Sequence, residues 1–235
     1  MTDSETKVWG LVPAAGTGVR MGASTPKQYL EINGCPIIHH TLEVLCNSSD
    51  IDGVAVGLGA ADEWWERYPY SHSGLVGTYT GGSERMDTVI NGLDFLQETA
   101  GARSTDWVAV HDAVRPLVST ADIRNLVDQA RQSGVGAILG VPLVDTLKVI
   151  NDENAISHTA DRTALFRAMT PQVFVLGELA DALADARDRE RTVTDESMAM
   201  ELLGKHPVAV TGSPANIKLT LPEDLEFIRK QLEND

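Results

Sequence analysis

The chain has 235 residues, 43% hydrophobic and 23% charged, which excludes disordered, collagen-like and coiled-coil classes. At this length a core needs no disulfide or metal staples, and one to two domains are expected. The 19 Lys and Arg against 34 Asp and Glu leave a formal charge of −15. Such a surface repels nucleic acid and anionic lipid at long range, so neither is an expected partner. Any phosphate chemistry has to rest on a few cations gathered at one place.

Strand-like apolar runs occupy 8–12, 53–58, 75–79, 107–110, 137–141 and 208–210. They alternate with helix-period segments, which predicts an α/β fold with a largely parallel sheet. In 36–45, Ile37, Ile38, Thr41, Leu42 and Leu45 share a helical face, with Pro36 expected in the first turn. In 84–96 the same spacing recurs through Met86, Val89, Ile90, Leu93 and Leu96, with Ser83 as the expected N-cap. A third helix is expected from an N-cap at Thr120 through Ile123, Leu126, Val127 and Ala130, ending at Gly134. The alternation breaks at 145–150 and 155–160, two short strand-like runs around Asn151-Asp152-Glu153-Asn154. That is a hairpin signal, and its composition suggests an arm projecting from the body.

Cys35 and Cys46 form no CxxC or metal-ligand spacing and read as reduced, inert thiols, although a disulfide between them is conceivable. The polar, net acidic start from Met1 to Lys7 does not fit a signal peptide, and no apolar run reaches ~18 residues. A soluble, cytoplasmic protein is expected. His39, His40, His72 and His206 read as structural, and Trp64-Trp65 as packing a helix onto the body.

Candidate chemistry collects where strands end, as open α/β sheets require. After the first run comes Pro13-Ala14-Ala15-Gly16-Thr17-Gly18-Val19-Arg20-Met21-Gly22, followed by Pro26-Lys27. Gly16 and Gly18 permit a tight turn that aims N–H groups at an anion. Met21 breaks the dinucleotide fingerprint, and no Gly-Lys-Ser/Thr completes a P-loop. What remains is a glycine loop with two cations, Arg20 and Lys27, in an anionic protein, which points to a triphosphate site. Gly81-Gly82-Ser83-Glu84-Arg85 could admit a flat base, with the Thr88 hydroxyl one turn further on. In His111-Asp112-Ala113-Val114-Arg115-Pro116, Asp112 suits Mg²⁺ and Arg115 suits a phosphate; a plain local Asp112–Arg115 pair is the simpler alternative. Asn216-Ile217-Lys218-Leu219-Thr220 alternates and sets Lys218 opposite Ile217 and Leu219, while Thr194-Asp195-Glu196 reads as a helix cap.

Taken in order, PAAGTGVRMG, PKQYL, GGSER, HDAVRP, VDTLK, HTADR, TPQ, TDE and NIKLT resemble the 2-C-methyl-D-erythritol 4-phosphate cytidylyltransferase family, from Pro13 to Thr220. The resemblance implies one Rossmann-like nucleotidyltransferase domain over 1–235, with 142–163 as a hairpin arm that clasps a second subunit. It implies CTP and a sugar-alcohol phosphate as substrates and Mg²⁺ or another divalent cation as cofactor. Carried across, Arg20, Lys27 and Lys218 are catalytic cations. Pro13, Ala14, Ala15, Gly16, Gly82, Ser83, Thr88 and Asp112 bind nucleotide, with Asp112 also at the metal. Arg115, Thr170 and Thr194 face the sugar phosphate, joined by Thr146 and Arg162 from the partner subunit. Two positions depart from the family pattern: Ser83 stands where an acid is frequent, and Thr88 where serine is common. Ribitol 5-phosphate cytidylyltransferase is the alternative within the class, disfavoured by Pro13-Ala14-Ala15-Gly16, Asp145-Thr146-Leu147-Lys148 and Asp161-Arg162. A non-catalytic nucleotide-binding regulator is the alternative outside it, and a nicotinamide oxidoreductase is weaker still.

Overall fold

The computed structural model describes residues 6–16 and 25–233. Its centre is a seven-stranded sheet in the order β11-β7-β10-β6-β1-β4-β5. These strands are β1 Val8–Pro13, β4 Gly53–Leu58, β5 Leu75–Thr80, β6 Trp107–Val110, β7 Ala137–Pro142, β10 Phe166–Val175 and β11 Val208–Thr211. β1 pairs in parallel with β4 and β6, β5 with β4, and β11 with β7. β10 runs antiparallel between β6 and β7, an insertion that the expected strands do not include. Two two-residue strands, β2 Glu31–Ile32 and β3 Cys35–Pro36, make a small separate ribbon.

The near-continuous apolar strands are explained by burial on both faces. Along β1, Val8 and Val12 point to one face and Trp9 and Leu11 to the other, as the two-residue period demands. The first face is covered by α1 (Ile37–Cys46) through Ile38, Leu42 and Leu45, and by α4 (Thr120–Ser133) through Ile123, Leu126 and Ala130. The second is covered by α3 (Arg85–Glu98) through Val89, Leu93 and Leu96, and by α5 (Leu176–Asp188) through Leu179 and Leu183. α6 (Glu196–Leu202) joins the second face through Ala199 and Met200. The short α2 (Trp64–Arg67) stacks Trp64 against Tyr29 and Tyr68. α7 (Pro222–Leu232) closes a smaller cluster with Ile32, Ile37, Val114 and Leu219 through Ile228. No helix among the described residues is long and apolar enough to cross a membrane, and Cys35 and Cys46 are free thiols.

Two expected caps and one expected first-turn residue are displaced by one position. Pro36, with ψ 143°, stands before α1 rather than inside its first turn. Ser119, not Thr120, caps α4, its hydroxyl accepting from Asp122 N at 3.0 Å. Glu84, not Ser83, caps α3 through a reciprocal bond with Asp87. In each case the cap is the last residue with extended backbone, which the type of side chain alone does not locate. Gly134 ends α4 at φ 69°, as its sequence position predicts.

The hairpin forms as β8 (Lys148–Ile150) and β9 (Ile156–Thr159), rising from the end of the β7–β10 pair. Asn151 Oδ1 closes its turn by accepting from Glu153 N at 3.1 Å and Ala155 N at 2.9 Å. Both of its strands are exposed along their whole length, with Ile150 55% and Ile156 64% accessible.

Candidate active site

Four loops meet beyond the carboxyl ends of β1, β5 and β6. The first continues β1: Ala14 N donates to Gly57 O at 2.8 Å, and Gln28 Nε2 donates to Ala14 O at 2.9 Å and Gly16 O at 3.0 Å. Gln28 is buried in a short 3-10 turn, Lys27–Tyr29, and its amide fixes the loop while Lys27 reaches the cleft. The second loop, at the end of β5, lies so close that a Cβ on Gly81 would collide with the Ala15 Cβ, and one on Gly82 with Asp87. These two glycines are therefore required by close approach of backbone. The Thr88 hydroxyl accepts from Gly82 N and donates to Glu84 O, both at 3.1 Å, so it holds this loop in place.

The third loop carries Asp112 and the fourth is the extended segment 216–220, which adds no strand to the sheet. Leu219 buries beneath it and its N–H donates to Val114 O at 3.0 Å. Lys218 faces the other way and pairs with Asp112 Oδ2 at 2.9 Å. Arg115 Nε approaches the same oxygen at 3.1 Å, and Arg85 Nε lies 3.5 Å from Oδ1. Burial pushes the Asp112 carboxyl up, but Arg85, Lys218 and Arg115 outweigh it and hold the group well below the usual carboxylate range.

Behind Asp112 the polar atoms close into a ring. Asp112 N donates to Thr170 Oγ1 at 3.0 Å, Asn216 Nδ2 to Thr170 O at 2.9 Å, and Arg115 Nη1 to Asn216 O at 2.8 Å. Buried His111 lies against this ring, with Nε2 3.1 Å from Arg115 O. A carbonyl only accepts, so Nε2 carries the proton and Nδ1 accepts from the Thr170 hydroxyl at 3.0 Å. The imidazole is thus held neutral. Burial lowers its pKa to about 4, against opposing effects from its hydrogen bond to Arg115 O and from Asp112.

That shift makes a pH prediction. The unfolded chain binds a proton at His111 near pH ~6.5, whereas the folded chain binds it only near pH 4. The stabilising contribution is complete above pH ~6.5 and disappears as pH falls towards 4. Denaturant unfolding of the parent and of His111→Gln at pH 7.5 and pH 5 checks this. The stability lost on acidification is expected to be smaller in the variant.

Of the residues singled out in sequence, Pro13, Ala14, Ala15, Gly16, Lys27, Gly82, Ser83, Thr88, Asp112 and Lys218 line one cleft of about 410 Å³. Arg115 and Thr170 stand directly behind Asp112, with the polar contacts just described. Thr194 is exposed beside Asp195, the α6 cap, whose carboxylate accepts from Met198 N. Thr146 and Arg162 are exposed on the arm and do not line the cleft. Arg20 lies outside the described residues. Sequence patterns do not single out Gln28, Arg85, His111 or Glu196. All four sit inside motifs and carried that signal. Glu196 sits in the Thr194-Asp195-Glu196 cap, but its ion pair with Arg85, which joins positions 111 residues apart at 2.6 Å, is not legible from that motif.

A mostly parallel sheet, a glycine-loop cleft at its carboxyl edge and cations clustered in an acidic protein define a nucleotidyltransferase. The family model for 2-C-methyl-D-erythritol 4-phosphate cytidylyltransferase matches residues 8–233, and the chain belongs to that family. It is 40% identical to the 2-C-methyl-D-erythritol 4-phosphate cytidylyltransferase of Pseudomonas syringae pv. tomato, covering 98% of both chains. It is 42% identical to the enzyme of that name from Ectopseudomonas mendocina, over 96% of this chain and 95% of that one. A crystal structure of 4-diphosphocytidyl-2C-methyl-D-erythritol synthase superposes with a TM-score of 0.85 at 34% identity, covering 97% of this chain and 99% of the other. The Francisella tularensis cytidylyltransferase follows at 0.82 and 33%, covering 96% and 100%.

Proposed function

We infer that this chain transfers CMP from CTP to 2-C-methyl-D-erythritol 4-phosphate, giving 4-diphosphocytidyl-2-C-methyl-D-erythritol and pyrophosphate in non-mevalonate isoprenoid precursor synthesis. Membership of the family supports the reaction. The observation that carries the reading is that Arg85 and Lys218 pair with Asp112 while Lys27 lines the same cleft, walled by the Ala14–Gly16 and Gly82–Ser83 backbones.

In this reading a phosphate oxygen of the sugar phosphate attacks the α-phosphorus in line. A new P–O bond forms as the bond to the β,γ-pyrophosphate breaks. A phosphate monoester has its second pKa near ~6 and is mostly dianionic at neutral pH, so no protein base is required. The obstacle is repulsion: two unit charges ~4 Å apart at an effective dielectric of ~20 interact by ~4 kcal/mol. Lys27, Lys218 and Arg20 offset that repulsion and the charge that develops on the leaving pyrophosphate. The backbone of Pro13 to Gly16 and of Gly82 and Ser83 seats the nucleotide on a floor kept rigid by Gln28 and Thr88. Arg115, Thr170 and Thr194 border the place for the sugar phosphate.

Of the two carboxylates lining the cleft, Glu84 is taken up in the α3 capping box, which leaves Asp112 for Mg²⁺, and no group of three or more His, Cys, Asp or Glu is gathered among the described residues. That donor set suits a cation taking most of its ligands from phosphate oxygens and water. When bound, Mg²⁺ supplies further neutralisation of the triphosphate. Asp112 would hold it by reducing its contact with Lys218 or Arg115.

Thr146 and Arg162 reach a cleft only if the 142–163 arm crosses to a second copy, so the reading includes a homodimer. Exposed Ile150 and Ile156 on the arm support it. The variant Ile150→Asp/Ile156→Asp is expected to sediment as a monomer where the parent sediments as a dimer, with KM for the sugar phosphate raised by about ten-fold or more. A parent that sediments as a monomer contradicts the arm's role. The cytoplasm, where CTP is available and thiols such as Cys35 and Cys46 stay reduced, is the compartment this chemistry fits.

Pyrophosphate release from CTP with methylerythritol phosphate, with ribitol 5-phosphate and with neither tests the assignment. Release with methylerythritol phosphate alone is expected, and UTP or ATP in place of CTP should be poor donors. Preference for ribitol phosphate, or CTP binding without release, overturns it.

A further inference from the structure

The nucleotide loop and the segment beside the sugar-phosphate site are joined by one ion pair. Arg85 opens α3 directly after the Gly81–Glu84 loop, and Glu196 opens α6 directly after Thr194 and Asp195. Glu196 is 1% exposed, and its two oxygens accept from Arg85 Nη1 at 2.6 Å and Nη2 at 3.1 Å. The remaining edge of the same guanidinium, Nε, faces Asp112 Oδ1 at 3.5 Å. One planar fork is therefore shared between two carboxylates on different elements.

Both ends of the pair are fixed in their own segments. At the α6 end, the Asp195 carboxylate accepts from Met198 N at 3.1 Å and from Gln172 Nε2 at 2.9 Å, while Gln172 Oε1 accepts from Ser197 N at 2.9 Å. At the α3 end, the Glu84–Asp87 capping box sets the backbone before Arg85. With both ends held, a shift of the 81–85 loop reaches residues 194–196 through this pair. A buried carboxylate whose partner moves away is left uncompensated, so separating the two segments is opposed.

We propose that the Arg85–Glu196 ion pair couples the two substrate subsites, with Glu196 as a positioning residue that touches neither substrate. Nucleotide phosphates arriving among the cations around Asp112 change how Arg85 divides itself between Asp112 and Glu196. That change sets the 194–196 segment for the second substrate. The coupling is reciprocal: the sugar phosphate tightens nucleotide binding by the same factor. The inference rests on the functional reading above, in which Gly82 and Ser83 hold CTP and Thr194 borders the sugar phosphate.

The test is calorimetric binding of 2-C-methyl-D-erythritol 4-phosphate to the full chain. It is measured with and without a saturating CTP analogue whose α,β-bridging oxygen is replaced by methylene. The parent is expected to bind the sugar phosphate about five-fold or more tightly in the presence of the analogue. In Glu196→Gln that ratio is expected to fall below about two. A merely structural role would lower the unfolding temperature and weaken binding of each ligand alone while leaving the ratio intact. That result, or a parent that shows no coupling, overturns the proposal. If Glu196→Gln does not fold, Arg85→Gln/Glu196→Gln leaves no charge unpaired and carries the same test. Failure of the functional reading looks different, since the parent would then release no pyrophosphate from CTP and methylerythritol phosphate.

Discussion

Lys27→Ala is expected to lower kcat by about 10²–10³, the usual cost of removing one preorganised charge aimed at a transition state. The fold should scarcely notice. Lys27 begins a short turn whose packing is supplied by buried Gln28 and Tyr29, while its own ammonium lines the cleft and approaches Leu219 O at 3.4 Å. In the proposed reaction, truncation removes charge from where the two anions would meet, and it leaves the turn anchored. Steady-state kinetics and thermal unfolding of the purified variant check both halves. Near-parental turnover removes Lys27 from the mechanism, and a large fall in unfolding temperature makes its role structural.

Asp112→Asn should damage activity and stability together. Its carboxylate is only 10% exposed and answers three cations, at 2.9 Å (Lys218), 3.1 Å (Arg115) and 3.5 Å (Arg85). Removing one member of a buried charge group costs roughly 3–5 kcal/mol. Arg85 and Lys218 are about a third exposed, so water recovers part of that and about 2–3 kcal/mol is expected. The pH dependence has a definite sign. A carboxyl held below its unfolded value of ~3.9 contributes stability that is complete above pH ~5 and is lost as pH falls further. The asparagine variant should lack that acid loss, and its pyrophosphate release at neutral pH should drop by about 10² or more. Denaturant titrations at pH 7, pH 4 and pH 3, with the same assay, decide it, since the step from pH 4 to pH 3 lies below the range in which His111 loses its contribution. A variant as stable as the parent at pH 7 would show that the three cations do not depend on Asp112.

The parallel strands were legible because burial on both faces writes an unbroken apolar run, and the Ala14–Gly16 loop because a turn at a strand end needs small residues. β10 hides for a physical reason. Its outer half belongs to the base of the arm, so Arg167 and Ala168 are exposed and the run is not apolar. Pro171 also argues against a central strand. It is tolerated because the β7–β10 register shifts between Ala168 and Gln172, where the ladder does not need its N–H. α5 is likewise absent from the expected helices, although Leu176, Leu179, Leu183 and Ala186 give it a helical face.

In the site, motif residues were legible where chain neighbours act together. They were not where folding joins distant positions. Asp112 and Arg115 lie three apart and pair as a local reading allows, but Arg85 and Lys218 arrive from other elements and turn that pair into a charge cluster. Thr88 and Thr170 have the hydroxyls that the resemblance assigns to ligands. Folding gives those hydroxyls protein partners, Gly82 N and Glu84 O for Thr88, and Asp112 N and His111 Nδ1 for Thr170. A sequence motif records which residue type occupies a position, whereas the partner of its polar atom depends on the whole chain.

The stereochemical course at the α-phosphorus tests the central claim most directly, namely that substrate dianion displaces pyrophosphate in one step and the protein contributes charge and alignment. With one diastereomer of CTP carrying sulfur at the α-phosphorus and methylerythritol phosphate as acceptor, the account predicts inversion in the product. Retention would require two displacements through a covalent nucleotidyl–protein intermediate, and would contradict it.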